Sequence, residues 1–192
     1  MTTQEHSNTP PGELFLSPEQ IAQHVGNLAG WAAQWIQETK GPRDPYLIGV
    51  LPEAIHLVAD VSRAIGRMTS RPIALGFATM TNYDATKGQG GHLFKINMDG
   101  FPDMRGRDVL FAHCRVMSGE TSNMLSHFTR YMGAKRIAHM ALLEQPRARK
   151  YDPDYSAFSV GSERHLFGYG IPRRGHNSFA AANALYTRPN NA

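Results

Sequence analysis

The sequence contains a single cysteine, Cys114, and no apolar run long enough to cross a membrane. One cysteine excludes an internal disulfide framework, and this scarcity is typical of proteins in a reducing compartment. The sequence also lacks the features of a secretory signal peptide at its start. We therefore expect a soluble, cytoplasmic protein that has no membrane partner.

Neither sign of charge dominates the chain, which has 20 lysines and arginines against 16 acids and a formal net charge of +4. The basic residues are spread along the sequence and do not form the cluster that is typical of nucleic-acid binding. The charge therefore favours an anionic small molecule as partner and makes nucleic acid a weaker candidate. A chain of 192 residues fits one domain. We predict a disordered lead-in over 1–13 and a single domain over 14–192.

Apolar strands and amphipathic helices alternate along the chain. Ser17 precedes Pro18 and stands three residues before Gln20, a combination that is typical of a helix start. The predicted strands lie at 46–51, 73–77, 92–96, 108–112, 136–143 and 165–170, and the predicted helices at 18–40, 54–65 and 121–132. A long polar connection is expected over 144–163. The alternation predicts an α/β fold, with a mainly parallel sheet flanked by helices.

The stretch from Asp108 to Thr121 combines a buried strand, a tight turn and a helix start. In parallel sheets, ligands bind beyond the carboxyl ends of the strands, which is where this turn falls. Backbone N–H groups and hydroxyls at such a turn can hold a phosphate, although the turn could also be a plain helix start capped by Ser118. The helix that follows should end at Gly133 and bury an apolar stripe. That stripe consists of Met124, Leu125, Phe128, Tyr131 and Met132.

Five segments resemble, in order and spacing, the hypoxanthine-guanine phosphoribosyltransferases, which have the type I phosphoribosyltransferase fold with a small hood. The segments are 46–66 (YLIGVLPEAIHLVADVSRAIG), 81–96 (TNYDATKGQGGHLFKI), 104–125 (MRGRDVLFAHCRVMSGETSNML), 134–149 (AKRIAHMALLEQPRAR) and 165–172 (HLFGYGIP). The resemblance covers almost the whole chain, from about Leu14 to about Tyr186. It implies the same fold and a related site.

The resemblance implies a role for residues in each segment. The implied residues are Ser118, Gly119, Glu120 and Thr121 for phosphate, Pro52, Glu53 and Arg149 for pyrophosphate or another anion, Gln145, His165 and Leu166 for the base pocket, Asn82, Tyr83 and Lys87 for the hood loop, and His113, Cys114 and Met117 for the catalytic positions. The family also holds a cis peptide bond before the position of Pro52. A Leu51–Pro52 bond would adopt that form at low cost.

The catalytic positions depart from the family pattern. His113 and Cys114 stand where the resemblance places two adjacent acids, and Met117 stands where it places the acid beside N7 of the purine. Magnesium requires oxygen ligands, and a methionine side chain cannot take up a proton. We therefore predict no metal site and name magnesium as a cofactor only if transfer activity survives. A soft-metal site at His113 and Cys114, or a nucleophilic Cys114, are further hypotheses, although adjacent strand residues point to opposite faces.

Three functions remain open from the sequence. The first is a divergent protein that binds a 5′-phosphorylated nucleotide or sugar phosphate without the standard magnesium-dependent transfer. The second is an active phosphoribosyltransferase that acts on a purine or an unusual nitrogenous base. The third is a new nucleotide-directed reaction that uses His113 or His165. The resemblance also implies a homodimer or homotetramer.

Overall fold

The computed structural model describes residues 12–84, 92–97, 103–145, 151–173 and 183–187. Within these residues it contains nine strands and three helices. In chain order they are β1 (Glu13–Leu16), α1 (Pro18–Gln37), β2 (Tyr46–Leu51), α2 (Ile55–Met68), β3 (Ala74–Asp84), β4 (His92–Asn97), β5 (Asp108–Val116), α3 (Glu120–Tyr131), β6 (Arg136–Glu144), β7 (Tyr155–Ser159), β8 (Leu166–Phe167) and β9 (Leu185–Thr187).

The main sheet has six strands in the order β4-β3-β2-β5-β6-β7. All neighbouring pairs are parallel except β3 and β4, which are antiparallel at one edge. A smaller antiparallel sheet has the order β1-β9-β8. The predicted α/β class with a mainly parallel sheet is confirmed. None of the helices that the structure describes is long and apolar enough to span a membrane.

Helices cover both faces of the main sheet. Along β5, Leu110 and Cys114 pack into the core formed with α1 and α2, whereas Val109 and Phe111 pack with Leu125 of α3. This alternation follows from the strand geometry, in which successive side chains point to opposite faces. Side chains at the end of β5 are therefore divided between an α2 side and an α3 side.

The predicted start of α1 is confirmed. The Ser17 hydroxyl accepts a hydrogen bond from the Gln20 amide at 3.3 Å, and the Ser17 amide donates to the Gln20 side chain at 2.9 Å. This reciprocal arrangement satisfies two backbone donors that a helix start otherwise leaves without partners.

The apolar stripe predicted on α3 is buried only in part. Leu125 is fully buried, but Tyr131 is 88% exposed and Met132 is 44% exposed. The buried face includes Ser122 and Ser126 instead. The prediction of a buried stripe is therefore wrong for Tyr131 and Met132 at the end of the helix, and on the buried face the Ser126 hydroxyl contacts His139.

Other differences concern the ends of elements and short strands. Helix α2 continues through Gly66, where the sequence predicted its end, to Met68. Strand β7 lies inside the predicted polar connection and pairs in parallel with β6. Strand β1 begins at Glu13, the last residue of the predicted lead-in, and residues 1–11 lie outside the described part of the chain.

Candidate functional site

A cavity of about 350 Å³ lies at the carboxyl ends of β2 and β5. Parallel pairing places Tyr46 beside Val109 and Gly49 beside Ala112, so the segments that follow the two strands meet at one edge of the sheet. The lining brings together most of the predicted site: Pro52, Glu53, His113, Cys114, Met117, Ser118, Gly119, Glu120 and Thr121. Residues that are 60 positions apart in sequence thus share one cavity because of the strand order.

The turn before α3 is held by a left-handed glycine. Gly119 has a φ of 74°, and a Cβ atom added there would lie 1.9 Å from the carbonyl oxygen of Tyr151, so glycine is required on both counts. The Ser118 hydroxyl accepts a hydrogen bond from the Glu120 amide at 3.4 Å. Gly119, not Ser118, is the N-cap of α3, and it provides no side-chain cap. The first amides of the helix therefore point toward the cavity end of α3, as helix geometry requires.

Two buried histidines form a hydrogen-bonded pair behind the cavity. His113 Nε2 lies 2.9 Å from His139 Nδ1, and His139 Nε2 lies 2.7 Å from the Ser126 hydroxyl. The Ser122 hydroxyl lies 3.5 Å from His113 Nε2. His139 also stacks on Phe111. The histidine pair thus links the cavity wall to the packing between β5, β6 and α3.

Burial keeps both histidines neutral. It lowers the pKa of His113 to about 4. Burial, and then the neighbouring His113, hold the pKa of His139 well below its ordinary value. A neutral pair shares one proton between Nε2 of His113 and Nδ1 of His139, which is the arrangement that the 2.9 Å distance fits.

Cys114 lies on the opposite face of β5 and is also buried. Its thiol donates a hydrogen bond to the Tyr169 carbonyl at 3.4 Å. Burial, followed by the negative charge of Glu53, raises the pKa of the thiol, so the protonated form is favoured. These contacts do not favour a nucleophilic thiolate, and they point Cys114 away from His113.

Arg115 and Glu53 form an ion pair that joins the end of β5 to the turn after β2. Arg115 Nη2 donates to Glu53 Oε1 at 3.0 Å, and the two side chains are 22% and 27% exposed. Both residues line the cavity. The Leu51–Pro52 peptide bond that precedes Glu53 is cis, as the sequence analysis predicted.

The strand end does not fit magnesium. That cation takes oxygen ligands, whereas His113 offers a ring nitrogen that is already bonded and Cys114 offers a protonated thiol. The Glu53 carboxylate is neutralised by Arg115. Within the described ranges, no group of three or more histidines, cysteines and acids is arranged to hold a metal ion.

The other predicted site residues that the structure describes do not line this cavity. The Gln145 side chain is buried and donates to the carbonyls of Gly161 and Arg164, while Leu166 belongs to the core and His165 is exposed. The base-pocket assignment stays a prediction. For the hood loop, Asn82 and Tyr83 belong to β3 by their backbone, and Lys87 lies outside the described residues, as does Arg149.

Sequence reasoning missed His139 and Arg115. His139 pairs with Phe111 in the register between β5 and β6, which places it two positions from His113 on the same face. The available signal was a histidine in a mainly apolar strand, but the sequence alone does not show which residue this histidine contacts, because that depends on the strand register. Arg115 could have been singled out as a charged residue inside the strand that leads to the turn Ser118–Thr121.

Comparisons with known proteins agree with this geometry. No family model matches the chain. The chain is 29% identical over 161 residues to the hypoxanthine-guanine phosphoribosyltransferase of Bacillus subtilis (strain 168), covering 83% of this chain and 84% of that protein. It is 25% identical over 161 residues, with the same coverage, to the enzyme of that name from Streptococcus pneumoniae (strain ATCC BAA-255 / R6).

A solved structure provides the matching fold. It is the hypoxanthine phosphoribosyltransferase from Trypanosoma cruzi in complex with the product IMP, with a TM-score of 0.79 and 21% sequence identity. The superposition covers 93% of this chain and 94% of that one. At this identity the likeness establishes the fold alone.

Proposed function

Because the chain is a phosphoribosyltransferase-like protein with the type I fold, we propose that it binds a 5′-phosphorylated nucleotide or sugar phosphate without the standard magnesium-dependent transfer. The observation that carries this proposal is the turn Ser118-Gly119-Glu120-Thr121, which lines the cavity at the start of α3. Gly119 is left-handed in this turn, and the positive end of the α3 dipole lies at the same place.

The chemistry of transfer supports the absence of the standard reaction. Transfer from phosphoribosyl pyrophosphate separates a cation-like ribose carbon from a pyrophosphate, whose charge must be neutralised as it leaves. His113 and Cys114 are neutral and buried in hydrogen bonds, so they supply neither negative charge to the ribose carbon nor oxygen ligands to a metal. Met117 cannot accept a proton from a purine. The site therefore keeps an anchor for phosphate, while His113, Cys114 and Met117 supply neither the metal ligands nor the base for the chemical step.

Thermal denaturation with defined ligands tests the binding. IMP and ribose 5-phosphate should raise the melting temperature equally well with magnesium and with EDTA, and inosine, which lacks the phosphate, should not. A ligand at a hundred times its Kd stabilises a protein by about 2.7 kcal/mol, which corresponds to a shift of several degrees. A Ser118→Ala, Thr121→Ala double variant should lose most of this shift. Ser70→Ala, an exposed serine outside the cavity, is the control.

The same protein sample tests the alternative of an active transferase, which the retained phosphate turn and the sequence similarity favour. Phosphoribosyl pyrophosphate, magnesium and a panel of purine and pyrimidine bases are incubated with the protein, and released pyrophosphate is measured. Release that depends on a base and is lost in the double variant would replace the proposed function by transfer. A shift with inosine equal to that with IMP would contradict phosphate anchoring.

Assembly and location belong to the same proposal. We infer from the resemblance a homodimer or homotetramer in the cytoplasm. Sedimentation of the purified chain at several concentrations measures its mass in solution, and a monomer at all of them would contradict the assembly.

A further inference from the structure

We propose that the Arg115 guanidinium binds a second anionic group of the ligand, and that Glu53 holds the guanidinium until the ligand arrives. This inference rests on the proposed function, because it adds a second contact to the ligand that Ser118–Thr121 anchor. The ligand class it names is a sugar phosphate that carries a second anionic substituent, such as a diphosphate.

The position of Arg115 supports this role. It lies three residues before Ser118, near the end of β5, and it lines the same cavity as the phosphate turn. The residues before it, His113 and Cys114, point to opposite faces and are occupied by hydrogen bonds within the protein. Arg115 is thus the side chain of this strand end that brings a fixed positive charge to the cavity.

Arg115 uses only part of its hydrogen-bonding capacity within the described part of the protein. A guanidinium has five N–H donors. Among the residues that the structure describes, its protein hydrogen bond is the one from Nη2 to Glu53 Oε1. The side chain is 22% exposed and lines the cavity, so its remaining donors face a space that a ligand can enter. A half-buried guanidinium that lines a cavity gains more from an added anion than a fully exposed arginine would.

The Glu53 carboxylate is a partner of Arg115 that an anionic ligand can replace. It uses one nitrogen and one oxygen, whereas a phosphate can engage the planar guanidinium through two parallel hydrogen bonds. Glu53 follows the cis Leu51–Pro52 bond in the turn that bounds the cavity. An anion that reaches Arg115 must displace the Glu53 carboxylate. Removing the charge of Glu53 should therefore strengthen the binding of a ligand with a second anionic group more than that of a ligand with one phosphate.

Calorimetric titration in EDTA separates the two contributions with two probes. Ribose 5-phosphate presents one phosphate, and phosphoribosyl pyrophosphate presents the same phosphate with an added diphosphate. The wild type should bind phosphoribosyl pyrophosphate about ten times more tightly than ribose 5-phosphate, as one charge-assisted contact allows. In Arg115→Gln the ratio of the two affinities should fall to about 1, and in Glu53→Gln it should rise several-fold.

Matched variants keep the test sharp. Arg115→Lys retains the charge without the planar fork and should give an intermediate ratio, and it also serves if Arg115→Gln fails to fold. Arg105→Gln removes an arginine that is 80% exposed and pairs with Asp103 outside the cavity, so it should leave the ratio as in the wild type. Equal ratios in the wild type, Arg115→Gln and Arg115→Lys, with ribose 5-phosphate still bound, would overturn the role of Arg115. Failure of the wild type to bind either probe would overturn the proposed function itself.

Discussion

Acidification should destabilise the protein through His113. The side chain is 4% exposed, and burial lowers its pKa from 6.5 to about 4 in the folded state. Between these two values the unfolded chain takes up a proton that the folded chain does not, so the stability conferred by the neutral ring is complete above pH 6.5 and is lost as the pH falls toward 4. A shift of this size corresponds to about 3 kcal/mol. The loss at His139 has the same direction and the same cause.

Urea denaturation of the wild type and of His113→Gln at pH 7, 6, 5 and 4 measures this effect. Glutamine does not titrate, and its amide can still donate to His139 Nδ1. The wild type should lose about 3 kcal/mol more than the variant between pH 7 and pH 4. His127→Gln, which changes an exposed histidine on α3, should keep the wild-type slope. Parallel curves for the wild type and His113→Gln would refute the conclusion that burial suppresses the charge of His113.

Two further predictions concern the phosphate turn and the buried thiol. Gly119→Ala should destabilise the protein, because the alanine Cβ would clash with the Tyr151 carbonyl. The loss of unfolding free energy should be at least the roughly 1–2 kcal/mol that the left-handed conformation costs an alanine. The variant should also lose the ligand-induced thermal shift. Gly30→Ala in α1, where a Cβ has open space, should instead stabilise by about 0.5–1 kcal/mol in the same urea titration. Cys114 should react with a disulfide reagent such as Ellman's reagent only after unfolding, because burial raises the pKa of its thiol. Rapid labelling of the native protein would contradict its placement.

The sequence by itself determined the main architecture and the place of the turn Ser118–Thr121. Alternating strand and helix patterns require a parallel sheet, and in such a sheet the segments that follow β2 and β5 meet at one edge. Local signals were sufficient for features that depend on neighbours in the chain. Ser17 and Gln20 form their capping box.

Only the tertiary structure decided which polar groups meet inside the fold. His113 and His139 are 26 residues apart and touch because β5 and β6 pair in one particular register, which no local pattern specifies. Arg115 meets Glu53 because β2 and β5 are neighbours in the strand order although 62 residues separate the two side chains. A shift of one residue in either register would turn these side chains to the opposite face. The sequence therefore located the turn Ser118–Thr121 at the edge of the sheet, and the strand register decided which residues stand beside it.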